Sequence, residues 1–336
     1  MRRLPIVLLT ALLPLLARAD NDPRLDTTAC RPIPTAAGPH SLLPLPGGTR
    51  LLISAHDRRN FERAGEMQVY DTATRSLARL PRSGEPPGLV LRPHHMDLVT
   101  QGKETLLYLI NHDEDSPNSR RHSVLVYAVE PERLVFRRRL TDPLLSSPNH
   151  LSVAPDGDLY VTNDRRDGSS VLELALREKK ANVVQYREGR GWRIVADGLS
   201  FPNGVKAEAE RLLVVMTFGN AMLTWPRLPD GSLGTREQVV SLPALDGLNP
   251  GPDPGTWLTV SHGPLLDFLR HKGSSSHPSR ATLFLVSPGT RQFKPFFSDD
   301  GRRISAMSNA VLAGNALYIG QSFDSFILRC PLKGQG

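Results

Sequence analysis

Cysteine is scarce: Cys30 and Cys330 are the two in 336 residues. They are too few and too far apart for a structural zinc site by themselves. In an oxidising compartment such a pair would tie the two ends of the chain together; the alternative is two free thiols. Long apolar runs are also missing beyond Leu16, where nothing approaches the roughly 18 apolar residues of a spanning helix. There is no Gly-x-Gly-x-x-Gly, no phosphate-binding loop and no Gly-x-Ser-x-Gly elbow. Dinucleotide chemistry and an elbow-borne serine nucleophile are therefore not indicated, nor is a redox cofactor. Positive charge is not concentrated either: Arg137-Arg138-Arg139 lies within a strand-like pattern, and the other basic residues are dispersed, so no nucleic-acid partner is indicated.

The start of the chain is different in kind. Arg2 and Arg3 precede an apolar run from Leu4 to Leu16, and Ala17-Arg18-Ala19 forms a small-x-small cleavage site. Residues 1–19 read as a secretory signal peptide, the alternative being an uncleaved anchor. Removing them lowers the formal charge from +7 to about +4 and leaves residues 20–336 as one domain, expected to be secreted or periplasmic without a transmembrane segment.

Short apolar runs recur to the end, among them RLLISA (50–55), LLYLI (106–110), VLVYAV (124–129), RLLVV (211–215) and ALYIG (316–320). Pro46-Gly47-Gly48, Asp156-Gly157 and Pro229-Asp230-Gly231 punctuate them, and no long stretch keeps a helical period. A larger period overlies this pattern. A polar residue or histidine opens a short apolar strand at His40, His94, Asn149 and Asn203, at spacings of 54, 55 and 54, with looser versions near Asp246 and Asn309. Six such units predict an all-β, six-bladed propeller. A β-sandwich does not explain the period. In a propeller these openings converge on one mouth of the central channel, and a Cys30–Cys330 bridge would join first and last blades.

Asn149, Asn203 and Asp246 offer hard oxygen ligands of the kind Ca2+ takes, whereas His40 or His150 would turn the preference toward another divalent metal. For any one of these residues, turn capping is the commoner role. Such a pocket suits attack of water on a polarised carbonyl, with a histidine accepting the proton. His94 in PHHMD and His112 in NHD are the candidates, and exposed turn histidines are the alternative. Aromatics near strand ends, such as Phe61, Phe201 and Phe323, would give the pocket an apolar wall for a small uncharged lactone or ester. The segment Pro264–Pro278 reads as a lid or a solvent-exposed loop.

The segments PHHMDLV, LYLINHD, SPNHLSVAPDGDLYVTND, LSFPNGV and ALYIGQSFDSFILRC resemble the serum paraoxonase and arylesterase family of six-bladed propellers, and more distantly the gluconolactonase-like calcium propellers. The resemblance runs from about Cys30 to Cys330. It implies a calcium-dependent hydrolase of lactones or aryl esters, with His94 and His112 as a catalytic pair and Asn149, Asn203 and Asp246 as ligands of the catalytic calcium. It also implies an acid at Asp164, beside Asn163, near the catalytic histidine, and a Cys30–Cys330 bridge. Several positions depart from the family pattern. His40-Ser41 stands where the family has Glu-Asp, His150 replaces an acidic ligand of the structural calcium, and Gly247 replaces an asparagine. A retained Ca2+, a different cation, or an empty site in a non-catalytic binding module are the three readings that follow.

Overall fold

The computed structural model describes residues 21–116, 119–165 and 178–334, so the expected signal peptide lies outside the described residues. Six antiparallel sheets follow one another in chain order, each beginning at the channel and working outward. Blade 1 contains the strands Pro39–Pro44, Arg50–Ala55, Glu66–Asp71 and Leu77–Arg79. The innermost strands of blades 2 to 6 are Pro93–Gln101, Pro148–Val153, Pro202–Ala207, Leu245–Pro250 and Met307–Ala313. The short strand Arg82–Ser83 adds to the outer edge of blade 2 in parallel. The outer edge of blade 6 is the N-terminal strand Arg31–Pro34, paired antiparallel with Phe326–Pro331. The first and last parts of the chain thus share one sheet, and Cys30 and Cys330 are bonded across it with sulfurs 1.94 Å apart.

The core is distributed between the blades. Six apolar clusters each fill the gap between one neighbouring pair of sheets, and the strand period of two explains how one strand serves two gaps. In RLLISA, Leu51 and Ile53 pack toward blade 6 while Leu52 packs toward blade 2. In LLYLI, Leu107 and Leu109 face blade 1 while Tyr108 and Ile110 face blade 3. A strand buried on both faces has no polar side, which is why these segments read as unbroken apolar runs. With apolar surface consumed between blades, the channel is left to polar residues.

The segment 264–278 differs from the expected loop: Leu265–Gly273 is an α-helix between the second and third strands of blade 5. Its spacing turns Phe268 and His271 to the same side. Phe268 packs on Phe323 and His262 at centroid distances of 5.2 and 5.0 Å. The His271 imidazole meets Asp324 at 3.1 Å. No helix among the described residues is long and apolar enough to cross a membrane.

Candidate functional site

The second residues of the six innermost strands are His40, His94, Asn149, Asn203, Asp246 and Ser308. Asn309, expected to open the sixth unit, therefore stands one position further along, and Ser308 holds the equivalent place. In every innermost strand the ladder to its neighbour breaks near this point, between Pro93 and Met96 in blade 2 and between Pro148 and Leu151 in blade 3, for example. Such a bulge re-aims side chains and removes carbonyls from the ladder. Hydroxyls of adjoining blades recover those carbonyls: Ser54 donates to the His94 carbonyl at 2.6 Å, Thr162 to that of Asn203 at 2.7 Å, and Ser308 to that of His40 at 2.9 Å. The ring is thereby fixed by contacts between blades.

Third positions complete the mouth. His150 stacks on His95 with centroids 3.9 Å apart. Gly247 has φ +62°, and a Cβ there would stand 2.6 Å from the Ser308 carbonyl oxygen, so backbone geometry requires glycine where the family resemblance implied asparagine. His40 lies against His94 at 4.4 Å and against His150 at 6.1 Å between ring centroids. Asp246 accepts from or faces two imidazoles, His262 Nε2 at 3.0 Å and His150 Nε2 at 3.6 Å. His40, His94, His150 and Asp246 are thus brought together. Asn149 and Asn203 occupy the equivalent second positions in blades 3 and 4.

His94 and His112 are in direct contact, Nδ1 to Nε2, at 2.7 Å, and His112 continues to His122, Nδ1 to Nδ1, at 2.9 Å. A neutral His112 has one N–H, so it donates at one nitrogen and accepts at the other, which gives the row a direction. The His94 Nε2 is buried without a hydrogen-bond partner. Asp164 lies beside Asn149. It accepts from Ser147 Oγ and from Asn149 Nδ2, the latter at 3.1 Å, and so positions Asn149. Asn163 is committed to local structure, accepting from the Ser147 amide at 3.1 Å and donating to Leu144 O and Asn182 Oδ1, both at 2.8 Å.

Sequence reasoning did not single out Arg58. It lies in the loop joining the second and third strands of blade 1, at the end of the sheet where Pro39 pairs with Ala55 and the inner strand begins. Neighbours clamp the loop. Arg59 binds Asp324 Oδ1 at 2.7 Å and His271 O at 2.8 Å, while Arg92 donates to Phe61 O at 3.0 Å. His56 Nε2 meets the carbonyls of Phe61 and Arg63 at 3.3 and 3.1 Å.

Burial holds His40, His94, His95 and His112 well below the ordinary imidazole range, and the Arg58 charge is the next largest cause for His40 and His94. Burial likewise brings His56 down to about 4. Burial pushes the Arg58 guanidinium down to about 10 against the support of Asp246. Burial would raise Asp246, but the imidazoles of His150 and His262 overcome it and keep the carboxyl well below its usual range. The mouth therefore holds His40, His94, His95 and His112 as neutral imidazoles, beside the Asp246 carboxylate and the Arg58 guanidinium.

The residues fit a calcium ion poorly. At the six second positions three buried side-chain oxygens lack hydrogen bonds, those of Asn149 and Asn203 and Asp246 Oδ1. They carry one formal charge between them, and the Arg58 cation acts on the same space. Calcium takes six to eight oxygens, with carboxylates supplying most of the charge. A softer ion fares no better: among the described residues no three His, Cys, Asp or Glu side chains form a metal-holding group.

Another concavity, of about 400 Å3, opens between blades 2 and 3, at the end of their inner strands away from the mouth, lined in part by Gln101, Tyr108, Arg138 and Asp158. Its charges are already paired, Arg138 with Glu188 and Arg187 with Asp158. The second positions of the inner strands, by contrast, hold the unpartnered atoms Asn149 Oδ1, Asn203 Oδ1, Asp246 Oδ1 and His94 Nε2.

Fold and mouth together define a disulfide-closed six-bladed propeller with a histidine-rich channel entrance. The arylesterase family profile matches residues 60–332, and the chain belongs to that family. Among curated proteins, Mechanosensory abnormality protein 6 of Caenorhabditis elegans is 26% identical over 242 residues, covering 68% of this chain; the chain spans 62% of that relative's length. Among solved structures, a luciferin-regenerating enzyme aligns at TM-score 0.57 and 8% identity, over 91% of this chain and 96% of that one. A Xanthomonas campestris gluconolactonase aligns at TM-score 0.54 and 16% identity, over 94% and 96%. The periplasmic gluconolactonase of Pseudomonas aeruginosa aligns at 0.52 and 12%, over 88% and 86%. At these identities the structural likenesses speak to the fold.

Proposed function

We propose that the protein is a binding module that takes a small oxygen-rich molecule at the channel mouth, and that the calcium sites implied by its family resemblance are lost. One observation carries this reading: Asp246, the single carboxylate at the six second positions, is flanked by His150 and His262 and shares its surroundings with the Arg58 cation. Metal analysis of natively purified protein tests it, followed by lactone and aryl-ester turnover before and after chelation. The expected result is no stoichiometric divalent metal and no metal-stimulated turnover with either substrate class. Stoichiometric metal with chelator-sensitive turnover would overturn it. The bridge between Cys30 and Cys330 supports an oxidising location, hence a secreted or periplasmic protein.

A second reading, hydrolysis of a lactone or aryl ester, is favoured by family membership and by the 2.7 Å His94–His112 contact, which leaves the His94 Nε2 free to take a proton from water. On this reading His94→Gln lowers kcat about 10²- to 10⁴-fold, the range of a lost general base. Equal turnover in wild type and His94→Gln excludes it.

A further inference from the structure

The Arg58 guanidinium has buried Nη1 and Nη2 atoms with no hydrogen-bond partner. Leaving a guanidinium buried and unpaired is strongly unfavourable, because it gives up water without recovering an anion. Asp246 supports its charge through space, yet no ion pair joins them among the described residues. Nor does Arg58 owe its position to slack in the chain. His56 before it bonds through its amide to Gly38 O at 3.2 Å, and Arg59 and Phe61 after it are tied to blades 6 and 2 through Asp324 and Arg92. The fork is held ready for something the protein itself does not supply.

Three unpartnered oxygens of the inner strands have the opposite character. Asn149 Oδ1, Asn203 Oδ1 and Asp246 Oδ1 are buried acceptors in need of donors. A molecule satisfying both sets offers a planar pair of acceptors to Arg58 and hydroxyl donors to the ring. We propose that the mouth recognises a small carboxylate carrying hydroxyl groups, with Arg58 binding its carboxylate in bidentate fashion. Bidentate pairing matches two oxygens to the two free nitrogens. A monoanion suits the charges better than a phosphate dianion, because Asp246 is negative and His40 and His94 are held neutral by burial. An anionic occupant replaces the uncharged one that the sequence suggested.

This inference rests on the binding-module reading, and its test is separate from the metal and turnover measurements. Calorimetric titration of the purified full chain uses gluconate, its uncharged counterpart glucitol, hydroxyl-free hexanoate, and inorganic phosphate. Gluconate is expected to bind at least tenfold more tightly than the other three, a difference of about 1.4 kcal/mol. Arg58→Gln is expected to weaken gluconate at least tenfold while leaving the melting temperature of the free protein unchanged or higher, since it removes an unpaired buried charge. Arg58→Lys should recover part of the affinity. Equal binding of gluconate and glucitol by the wild type, preference for phosphate or hexanoate, or no binding of any probe would overturn the proposal, whatever the folding of the variants. Unchanged gluconate affinity in Arg58→Gln would also overturn it while leaving the binding module standing. Stoichiometric metal with chelator-sensitive turnover would bring down the underlying reading instead.

Discussion

Two layers of the same innermost strands use polar residues in opposite ways. At the mouth, the second positions leave Asn149 Oδ1, Asn203 Oδ1 and His94 Nε2 buried without partners. Three residues further in, the fifth positions of blades 2, 3 and 4 are Asp97, Ser152 and Lys206, and they satisfy one another. Asp97 Oδ2 accepts from Ser152 Oγ and the Val153 amide, both at 3.0 Å, and from Lys206 Nζ at 3.2 Å. The Ser152 hydroxyl in turn accepts from the Ala207 amide at 3.1 Å. Blades 2, 3 and 4 are stapled there by a closed network. Proximity to the axis therefore does not explain the open valences of the mouth; with the same strands and burial, a satisfied arrangement is available a few ångströms away. A buried group left unpaired in one layer and paired in the next belongs to a surface awaiting a ligand.

Acid should separate the layers most strongly. Burial holds His40, His56, His94, His95 and His112 neutral in the folded protein, so their pKa values lie below those of the unfolded chain. The unfolded state then binds protons that the native state refuses, and stability falls as pH drops below about 6.5. For His56, with a folded value of about 4, the loss between about pH 7 and about pH 5 is about 2 kcal/mol. His94, His95 and His112 shift in the same direction and add to that loss. Urea unfolding at stepped pH measures it. A flat midpoint over that window would show that the imidazoles protonate in the native state and that the mouth is wetter than its burial implies.

Removing the deep staple comes next in size. Asp97→Ala leaves Lys206 without its counter-charge and strands the Val153 amide, and such a broken pair costs about 3 kcal/mol, or about 2 if the partly exposed lysine is rescued by water. Chemical denaturation reads this directly, and ligand binding at the mouth should survive in the folded fraction. A loss under about 1 kcal/mol would mean that the two layers do not differ in how firmly they are held.

Much of this architecture was legible in the sequence because strands buried on both faces must be apolar throughout and because each blade repeats its opening. The 54–55-residue spacing led to the second positions of the first four blades. In blade 6 the reading slipped from Ser308 to Asn309, because an asparagine resembles its counterparts and a serine does not. The mouth was legible only where the inner strands build it. Arg58 arrives on the loop between the second and third strands of blade 1 and His122 on the third strand of blade 2, where the period of the inner strands does not mark them, and the Arg59–Asp324 contact that clamps the first spans 265 residues. The hydrogen bonds of Asp164 to Ser147 and Asn149 were likewise not legible, since they join the two ends of one hairpin through side chains. The chain shows which strands meet; which side chains find partners there depends on the bulges.

The smallest expected effect is the most discriminating, because its sign differs between the layers. Asn203 donates weakly to Thr217 Oγ1 at 3.3 Å and leaves its own side-chain carbonyl buried without a donor. Asn203→Leu removes both the weak bond, worth about 0.5–1 kcal/mol, and the stranded carbonyl, whose desolvation costs about 1–3 kcal/mol. The balance favours the variant by about 1 kcal/mol in the free protein, so its unfolding midpoint should rise while gluconate affinity falls. Ser152→Ala in the deep layer removes a hydroxyl that both donates and accepts, and should lower the midpoint without touching the mouth. If Asn203→Leu instead lost more than about 1 kcal/mol, its carbonyl would already have a partner in the free protein. The contrast between an open mouth and a closed staple would then fail at the residue where it is most exposed to test.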